Sequence, residues 1–407
     1  MTGRCIIVGA SHAGVTCALS LRRFGWRGEI TLFGDETTLP YHRPPLTKDY
    51  LKCSKNGDSI LLHSLERYVK AGIELNLGQR VVRVDRSSQS VITDVGNQSR
   101  YDKLVLATGA SAIQLPFVRS DLQGVCYLRS LTDVDRIRGH AKADKRAVII
   151  GGGYIGLEAA ASLRAMGMRV AVVEAADRIL ERVTSDAVSR FFSRIHREEG
   201  VEIYERCQVS EILGQEAVEG VLLASGERMR ADLVVIGIGV RPNVELGQSA
   251  GLKIDNGICV DTYTQTEDPN IFAIGDCANV LHQRYRRQIR LESIQNANDQ
   301  ALVAAKAISG KPQPYGAVPW FWSDQYDVKL QIAGLADGFD NVVVRRDPGS
   351  GRTMSVVYLK DHQLLAVDAL NRPRDFVQGK KLIQSEATLD TEILADSTST
   401  LLDAEVT

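Results

Sequence analysis

The sequence predicts an α/β protein with two Rossmann-like nucleotide-binding domains and a smaller α+β domain near its C-terminal end. Three observations carry this. A strand, glycine turn, helix and second strand occur twice, once from Cys5 to Asp35 and again from Ala147 to Glu174. Two apolar strands ending in small-residue turns, Tyr101 to Ala110 and Ala231 to Asn243, fall where such halves should close. Beyond Pro312 and Pro314 the pattern changes to short alternating strands.

The second unit has the fuller fingerprint. Ala147 to Ile150 is a short apolar run, as for a strand covered on both faces. Gly151, Gly153 and Gly156 then form G-x-G-x-x-G: one glycine for the tight turn, one for close approach of a pyrophosphate, one for packing helix on strand. Tyr154 and Ile155 fall in this turn, and a helix over roughly Ile155 to Met166 aims its positive end at the phosphate. The chain returns through Val170 to Val173 to Glu174, an acid about 20 residues past the glycines and placed for a ribose hydroxyl. A turn of purely structural purpose is the alternative, but here every neighbouring element falls in place.

In the first unit the strand Cys5 to Val8 leads into Gly9, Ala10, Ser11, His12, Ala13 and Gly14, then a helix through about Phe24, the strand Ile30 to Phe33, and Asp35. Ser11 replaces the middle glycine, and its hydroxyl could reach a phosphate. His12 reads as a packed turn residue rather than a catalyst. Two units give two nucleotide sites, or one and a copy that no longer binds; two working sites are expected.

Leu39 to Lys48, LPYHRPPLTK, has adjacent prolines that impose extended backbone, with Thr47 as cap of a short helix from Lys48. It is either a rigid loop or a wall of a cofactor site that includes Arg43 and Lys48. Ala107, Thr108 and Gly109 close one apolar strand, and Gly239 closes the other. Ile271 to Ala278, IFAIGDCA, ends a buried strand in Gly275 and Asp276, where a carboxylate either meets ligand or caps the next segment. Glu292 to Ile308 reads as a helix, Trp320 to Trp322 as an aromatic cluster, and Lys329 to Ile332, Asn341 to Arg345 and Ser355 to Leu359 as strands. The domains expected are 1–111 with 241–316, the inserted 112–240, and 317–407. A polar, acidic tail from about Asp390 is expected to be loosely ordered.

At 407 residues the chain has room for two or three domains, and 44% apolar with 24% charged residues suits a globular protein. A net charge of −1 argues against bulk attraction to nucleic acid or membrane. No apolar run approaches a membrane span, and a strand at residues 4–8 leaves no signal peptide to expect. Seven scattered cysteines, without a C-x-x-C pair, suit a reducing cytoplasm and offer no metal site.

Both fingerprints, together with YHRPPLTKDYL, YLRSL, LERVTSDAVSRFF, ADLVVIGIG, AIGDCA, RLESIQNA, PWFWSDQY and AVDALNRP in that order, resemble the FAD- and NADH-dependent ferredoxin reductases that serve bacterial cytochrome P450s and Rieske oxygenases. The likeness runs through about Phe376 and implies a glutathione-reductase-like arrangement. It implies that FAD contacts Ala13, Asp35, Lys48, Val81, Arg129, Asp276 and Ile294. Asp35 would hold the adenosine ribose, Asp276 the ribityl chain, and Trp320 would lie near the flavin ring. It implies NADH over Gly151 to Gly156, Glu174 on its ribose and Glu158 near the nicotinamide. A Lys48–Glu158 ion pair would act by position and charge rather than proton transfer. The partner implied is a transiently bound, acidic 2Fe–2S ferredoxin, with the reductase a monomer or weak dimer. Arg284, Arg286, Arg287 and Arg290, then Arg372 and Arg374, then Lys380 and Lys381, are the basic clusters that could receive it.

Two other readings compete with this one. A flavin disulfide or peroxide reductase needs cysteine beside the flavin, and Pro44 to Thr47 has none; Cys53 lies past Lys48. A signalling flavoprotein resembling the apoptosis-inducing factors would bind nucleic acid through basic surface, and no long basic run exists.

Overall fold

The computed structural model describes residues 3–118, 122–347, 349 and 351–406. They divide into two compact units: 1–42, 58–111 and 240–317 form one, and 43–57, 112–239 and 318–407 form the other.

The first unit is built on a five-stranded parallel sheet, in the order Ile271–Ala273, Lys103–Leu106, Arg4–Val8, Glu29–Gly34, Ile73–Leu77. Its central strand is apolar throughout Cys5 to Val8 because both faces are covered. The helices His12–Phe24 and Ile294–Ile308 contribute to one core there, where Val15, Leu21, Ala301 and Ala304 meet Cys5, Ile7 and Ile30. The alanine-rich composition of the second helix allows that close packing. Its N-terminus is capped by Ser293, whose hydroxyl accepts from the Asn296 amide at 3.1 Å.

The second unit repeats the plan. Its parallel sheet has the order Val201–Tyr204, Arg169–Val173, Arg146–Ile150, Leu233–Ile236, Val125–Tyr127. The helix Tyr154–Ala165 follows the glycine turn, and Asp186–Glu198 is a strongly amphipathic helix. The same unit contains a five-stranded antiparallel sheet, ordered Trp320–Gln325, Val328–Gly334, Gln363–Leu370, Met354–Lys360, Asn341–Arg345. The helix Pro373–Gln384 covers it through Leu382 and Ile383.

Two local expectations are corrected. Thr47 caps no helix: Pro44–Thr47 is a single 3-10 turn that ends at Lys48. The chain from Asp390 is not loose. Leu394, Leu401 and Ala404 are buried in the core of the antiparallel domain, and Asp390 caps the helix Thr391–Ala395. Its polar composition hid three well-spaced apolar anchors. Arg345, fully buried, ties this tail down by donating to the carbonyls of Leu394 and, at 2.6 Å, Ser399, with Asp375 3.6 Å from its Nε. Replacing Arg345 by Met should destabilise this unit by about 3 kcal/mol, since Asp375 would lose one of its two cations. Limited proteolysis should then cut beyond residue 390; an undiminished urea midpoint and an uncut tail would contradict this role.

A second buried acid gives a pH test. Tyr358 donates to Asp368 at 2.6 Å, and burial pushes the Asp368 carboxyl up to about 7 from its ordinary 3.8. The folded state therefore holds this proton more tightly than the unfolded chain, so its contribution to stability falls as pH rises from about 4 to 7. Burial moves His196 the other way, to about 4, so its contribution is lost as pH falls from 6.5 to 4. Between those limits the two slopes oppose. Asp368→Asn should remove only the first, and its stability relative to the parent should improve by about 4 kcal/mol from pH 4 to 7. Urea unfolding across that range would show it; a constant difference between the proteins would refute it.

Candidate functional site

Both glycine turns show why their residues are needed. In the first unit Gly9 has φ +119°, and a Cβ there would lie 2.0 Å from the Ala107 carbonyl oxygen. A Cβ on Gly14 would lie 2.0 Å from the Gly9 carbonyl oxygen. In the second unit Gly151 has φ +106° and stands against the Gly237 carbonyl, and Gly156 against that of Gly151. These four positions exclude any side chain.

The middle position is different. Gly153 and Ser11 are the N-caps of their helices, with φ −79° and −133°, so neither backbone requires glycine. A Cβ on Gly153 would meet nothing within 4 Å. What glycine preserves there is open space. Ser11 fits its turn without strain and adds a hydroxyl.

Neither helix has a side-chain cap or an acid in its first turn, unlike Leu131–His140, whose Ser130 and Asp133 form a complete capping box. First-turn amides without side-chain caps, with open space before them at Gly153, form a cradle for an anion, and the uncapped amides of both turns suit a dinucleotide pyrophosphate.

The other predicted residues of the first unit cluster around its turn. Ala13 and Gly14 are buried in the first turn of the helix, and His12 is buried 5.5 Å from the His42 ring, as a packed residue. Gly275, at φ +78°, brings its Cα beside Ala13, and its amide donates to Gln300 at 2.7 Å. Asp276 follows on a partly exposed 3-10 turn. Asp35 is exposed at the end of the second strand, Val81 is buried at a strand start, and Ile294 opens its helix. Thr108 donates to the Asn243 carbonyl at 2.6 Å, beside Gly109 at φ +68°.

In the second unit Glu174 folds back on the turn. Its Oε2 accepts from the Gly152 amide at 2.6 Å and its Oε1 from Ala176 at 2.7 Å. The carboxylate is thus a fixed charge. Arg178 is engaged with the carbonyls of Glu181, Thr184 and Ser185. Tyr154 stacks at 4.8 Å on Phe321, Ile155 is exposed, and Gly239 has φ +111°. Trp320 packs against Trp322 and Phe376 with the Lys380 ammonium 5.8 Å from its ring.

One helical turn past the glycines, Glu158 is 7% exposed. Its Oε2 accepts from Lys48 Nζ and, at 2.5 Å, from Thr47 Oγ1; its Oε1 accepts from Ser323 Oγ at 2.7 Å. The expected Lys48–Glu158 pair is present. The segment that brings Lys48 is fastened along its length. Arg43 donates to the Arg129 carbonyl at 2.8 Å, Ser162 to the Thr47 carbonyl at 2.6 Å, and the Arg138 guanidinium lies 3.8 Å over the Tyr50 ring. The sequence pattern suggests only a capping role for Thr47 and does not single out Ser323. The available signal was Ser323 and Gln325, polar residues at alternate, inward positions of a strand.

Cys5, Cys17, Cys126, Cys259 and Cys277 are buried, and burial pushes Cys5 up to about 12. Among the described residues no group of three His, Cys, Asp or Glu could hold a metal ion, and no helix is long and apolar enough to cross a membrane. Two of the basic residues are structural: Arg290 pairs with Glu292 at 2.6 Å and bonds the Asp276 carbonyl, and Arg372 pairs with Asp347 and Asp375. Arg286, Arg287 and Arg374 are exposed.

Two glycine-turn sheets with a buried carboxylate paired to a partly buried lysine define a two-nucleotide oxidoreductase. Residues 3–301 match the family described as pyridine nucleotide-disulphide oxidoreductase, and 320–404 match the reductase C-terminal domain. The chain belongs to that family, among its ferredoxin reductases of the putidaredoxin reductase type. It is 43% identical to putidaredoxin reductase CamA of Pseudomonas putida, over 96% of this chain and 94% of the relative. It is 42% identical to rhodocoxin reductase of Rhodococcus erythropolis, over 96% and 92%. Of solved structures, the covalent putidaredoxin reductase–putidaredoxin complex matches with a TM-score of 0.96 and 42% identity, over 99% of this chain and 98% of that one.

Gly151→Ala should prevent the turn from forming and give little folded protein. Gly153→Ala should fold with an unchanged melting temperature but bind NADH at least tenfold more weakly, because the methyl enters the phosphate space. Equal NADH affinity in a folded Gly153→Ala protein would show that the space does not hold phosphate.

Proposed function

We propose that the chain carries electrons from NADH to a 2Fe–2S ferredoxin serving a cytochrome P450 or Rieske oxygenase, in the cytoplasm. The balance is NADH plus two oxidised ferredoxins giving NAD+, two reduced ferredoxins and one proton. A bound FAD would supply the chemistry that joins the two-electron donor to the one-electron acceptor, hydride acceptance with single-electron release. The observation that carries the reading is the ion pair of buried Glu158, one turn beyond the open glycine turn, with Lys48, whose preceding segment Pro44 to Thr47 contains no cysteine.

Each residue has a definite task. Gly151, Gly153 and Gly156 admit the NADH pyrophosphate to the helix amides, and Glu174 accepts from its ribose. Lys48 and Glu158 hold a fixed dipole on the nicotinamide side and act by orientation and charge. Gly9, Ser11, Ala13 and Gly14 would hold the FAD pyrophosphate, Asp35 its ribose and Asp276 its ribityl chain. Contacts of Arg43, Lys48, Arg129 and Trp320 with FAD rest on the family resemblance. Segments 1–111 and 241–316 serve FAD, 112–240 serves NADH, and 317–407 is an interface domain.

NADH should be preferred to NADPH, because the anchored Glu174 carboxylate repels a 2′-phosphate and Arg178 is committed elsewhere. Glu174→Ala should narrow the ratio of kcat/KM values at least tenfold; equal values in the parent would sink the assignment. Reversing Arg286 and Arg287 to Glu should raise the KM for ferredoxin severalfold at low salt and leave the KM for NADH alone. Ferredoxin reduction indifferent to both salt and reversal would exclude this docking face.

A further inference from the structure

Behind Glu158 the hydrogen bonding does not stop. Ser323 accepts from Gln325 Nε2 at 3.1 Å, Gln325 Oε1 meets His196 Nε2 at 2.8 Å, and His196 Nδ1 meets the Tyr326 hydroxyl at 3.2 Å. Ser323, Gln325 and His196 are each fully buried, and the chain ends at the partly buried Tyr326. Two elements supply it: the strand Trp320–Gln325 with the residue after it, and the helix Asp186–Glu198.

The carboxylate sets the direction of every bond. A carboxylate only accepts, so Ser323 must donate to Glu158 and has its lone pairs left for Gln325. Gln325 therefore turns its amide nitrogen to Ser323 and its oxygen to His196. The imidazole must then carry its proton on Nε2, and bare Nδ1 accepts from Tyr326. Four donors thus point the same way, from Tyr326 to Glu158, and successive aligned bonds polarise one another. A glutamine in mid-chain makes this an orienting array rather than a proton path, since an amide does not readily pass a proton through. Lys48 and Thr47 hold the same carboxylate through its other oxygen.

We propose that Ser323, Gln325 and His196 are positioning residues for NADH oxidation: through one aligned chain of donors they fix the carboxylate of Glu158, and through it Lys48, against the reacting nicotinamide. This rests on the reading that the nicotinamide reacts beside that pair. Without Ser323 the Oε1 oxygen loses its donor, the carboxylate can rotate, and the lysine follows it. Substrate affinity, set at the glycine turn and Glu174, should be untouched.

The first measurement is ¹⁵N NMR of histidine-labelled holoenzyme, with His196 assigned by its absence in His196→Gln. The parent should show a neutral ring protonated on Nε2, and Ser323→Ala should give a mixture of tautomers as Gln325 loses its reason for one orientation. A parent ring protonated on Nδ1 overturns the proposal by itself, whether or not any variant folds. The second is stopped-flow reduction of the bound flavin by NADH. Ser323→Ala should slow the limiting rate about tenfold with the NADH dissociation constant within twofold of the parent, and Ser323→Thr, which keeps the hydroxyl, should restore it. An unchanged rate in Ser323→Ala overturns the proposal. Glu158→Gln separates the two levels: if it too reduces at the parent rate, the reading of the Lys48–Glu158 pair has failed; if it is slow while Ser323→Ala is not, only the positioning chain has failed.

Discussion

A buried carboxylate has to be surrounded, and in this protein Glu158 is the carboxylate that decides which segments stay together. Leaving it uncompensated would cost several kcal/mol. Its helix cannot supply the partners, because Tyr154–Ala165 is otherwise small and apolar over its buried face. They come from two segments distant in sequence, Thr47 and Lys48 on one side and Ser323 on the other. That requirement accounts for the composition of the second unit, in which residues 43–57 and 318–407 group with the inserted nucleotide fold. The carboxylate in turn fixes the lysine, so the condition for stability also places a charge beside the glycine turn.

The two nucleotide turns solve one steric problem with unequal means. Four glycines are set by backbone crowding, where a methyl would fall about 2 Å from a carbonyl oxygen. The middle residue is set by what occupies the space in front of it, and there the two turns diverge into Gly153 and Ser11. Motif fidelity thus mixes two requirements of different strength. The packing glycines permit no exchange, while the backbone of the middle position accepts serine in one turn and glycine in the other.

Polar groups buried in the second unit also act on its stability in opposite senses. Asp368 favours the folded state when protonated, and His196 favours it when neutral. The histidine is held neutral by burial among partners that need a defined tautomer, so the protein keeps a titratable side chain at a position where titration would break a hydrogen-bond chain. Arg345 follows the same logic at the far side of the antiparallel sheet, where a single buried guanidinium collects backbone carbonyls of a tail that carries few apolar residues of its own.

Local pattern determined the two parallel folds, their helices and the glycine turns. Runs such as Cys5 to Val8 and Arg169–Val173 announce strands covered on both faces, and glycine spacing depends only on near neighbours in sequence. The strand Asn341–Arg345 and the helix ending at Phe24 were equally legible. Residue identity in a long motif set was enough to name Lys48 and Glu158 as partners. Only tertiary structure revealed that Thr47 spends its hydroxyl on a carboxylate 111 residues away rather than on a helix end, that Ser323 completes that site, and that the acidic tail is anchored. Each of these depends on desolvation. Whether a hydroxyl, an arginine or a short apolar residue finds water or a buried partner is settled by what packs against it, and that information lies in no window of neighbouring residues.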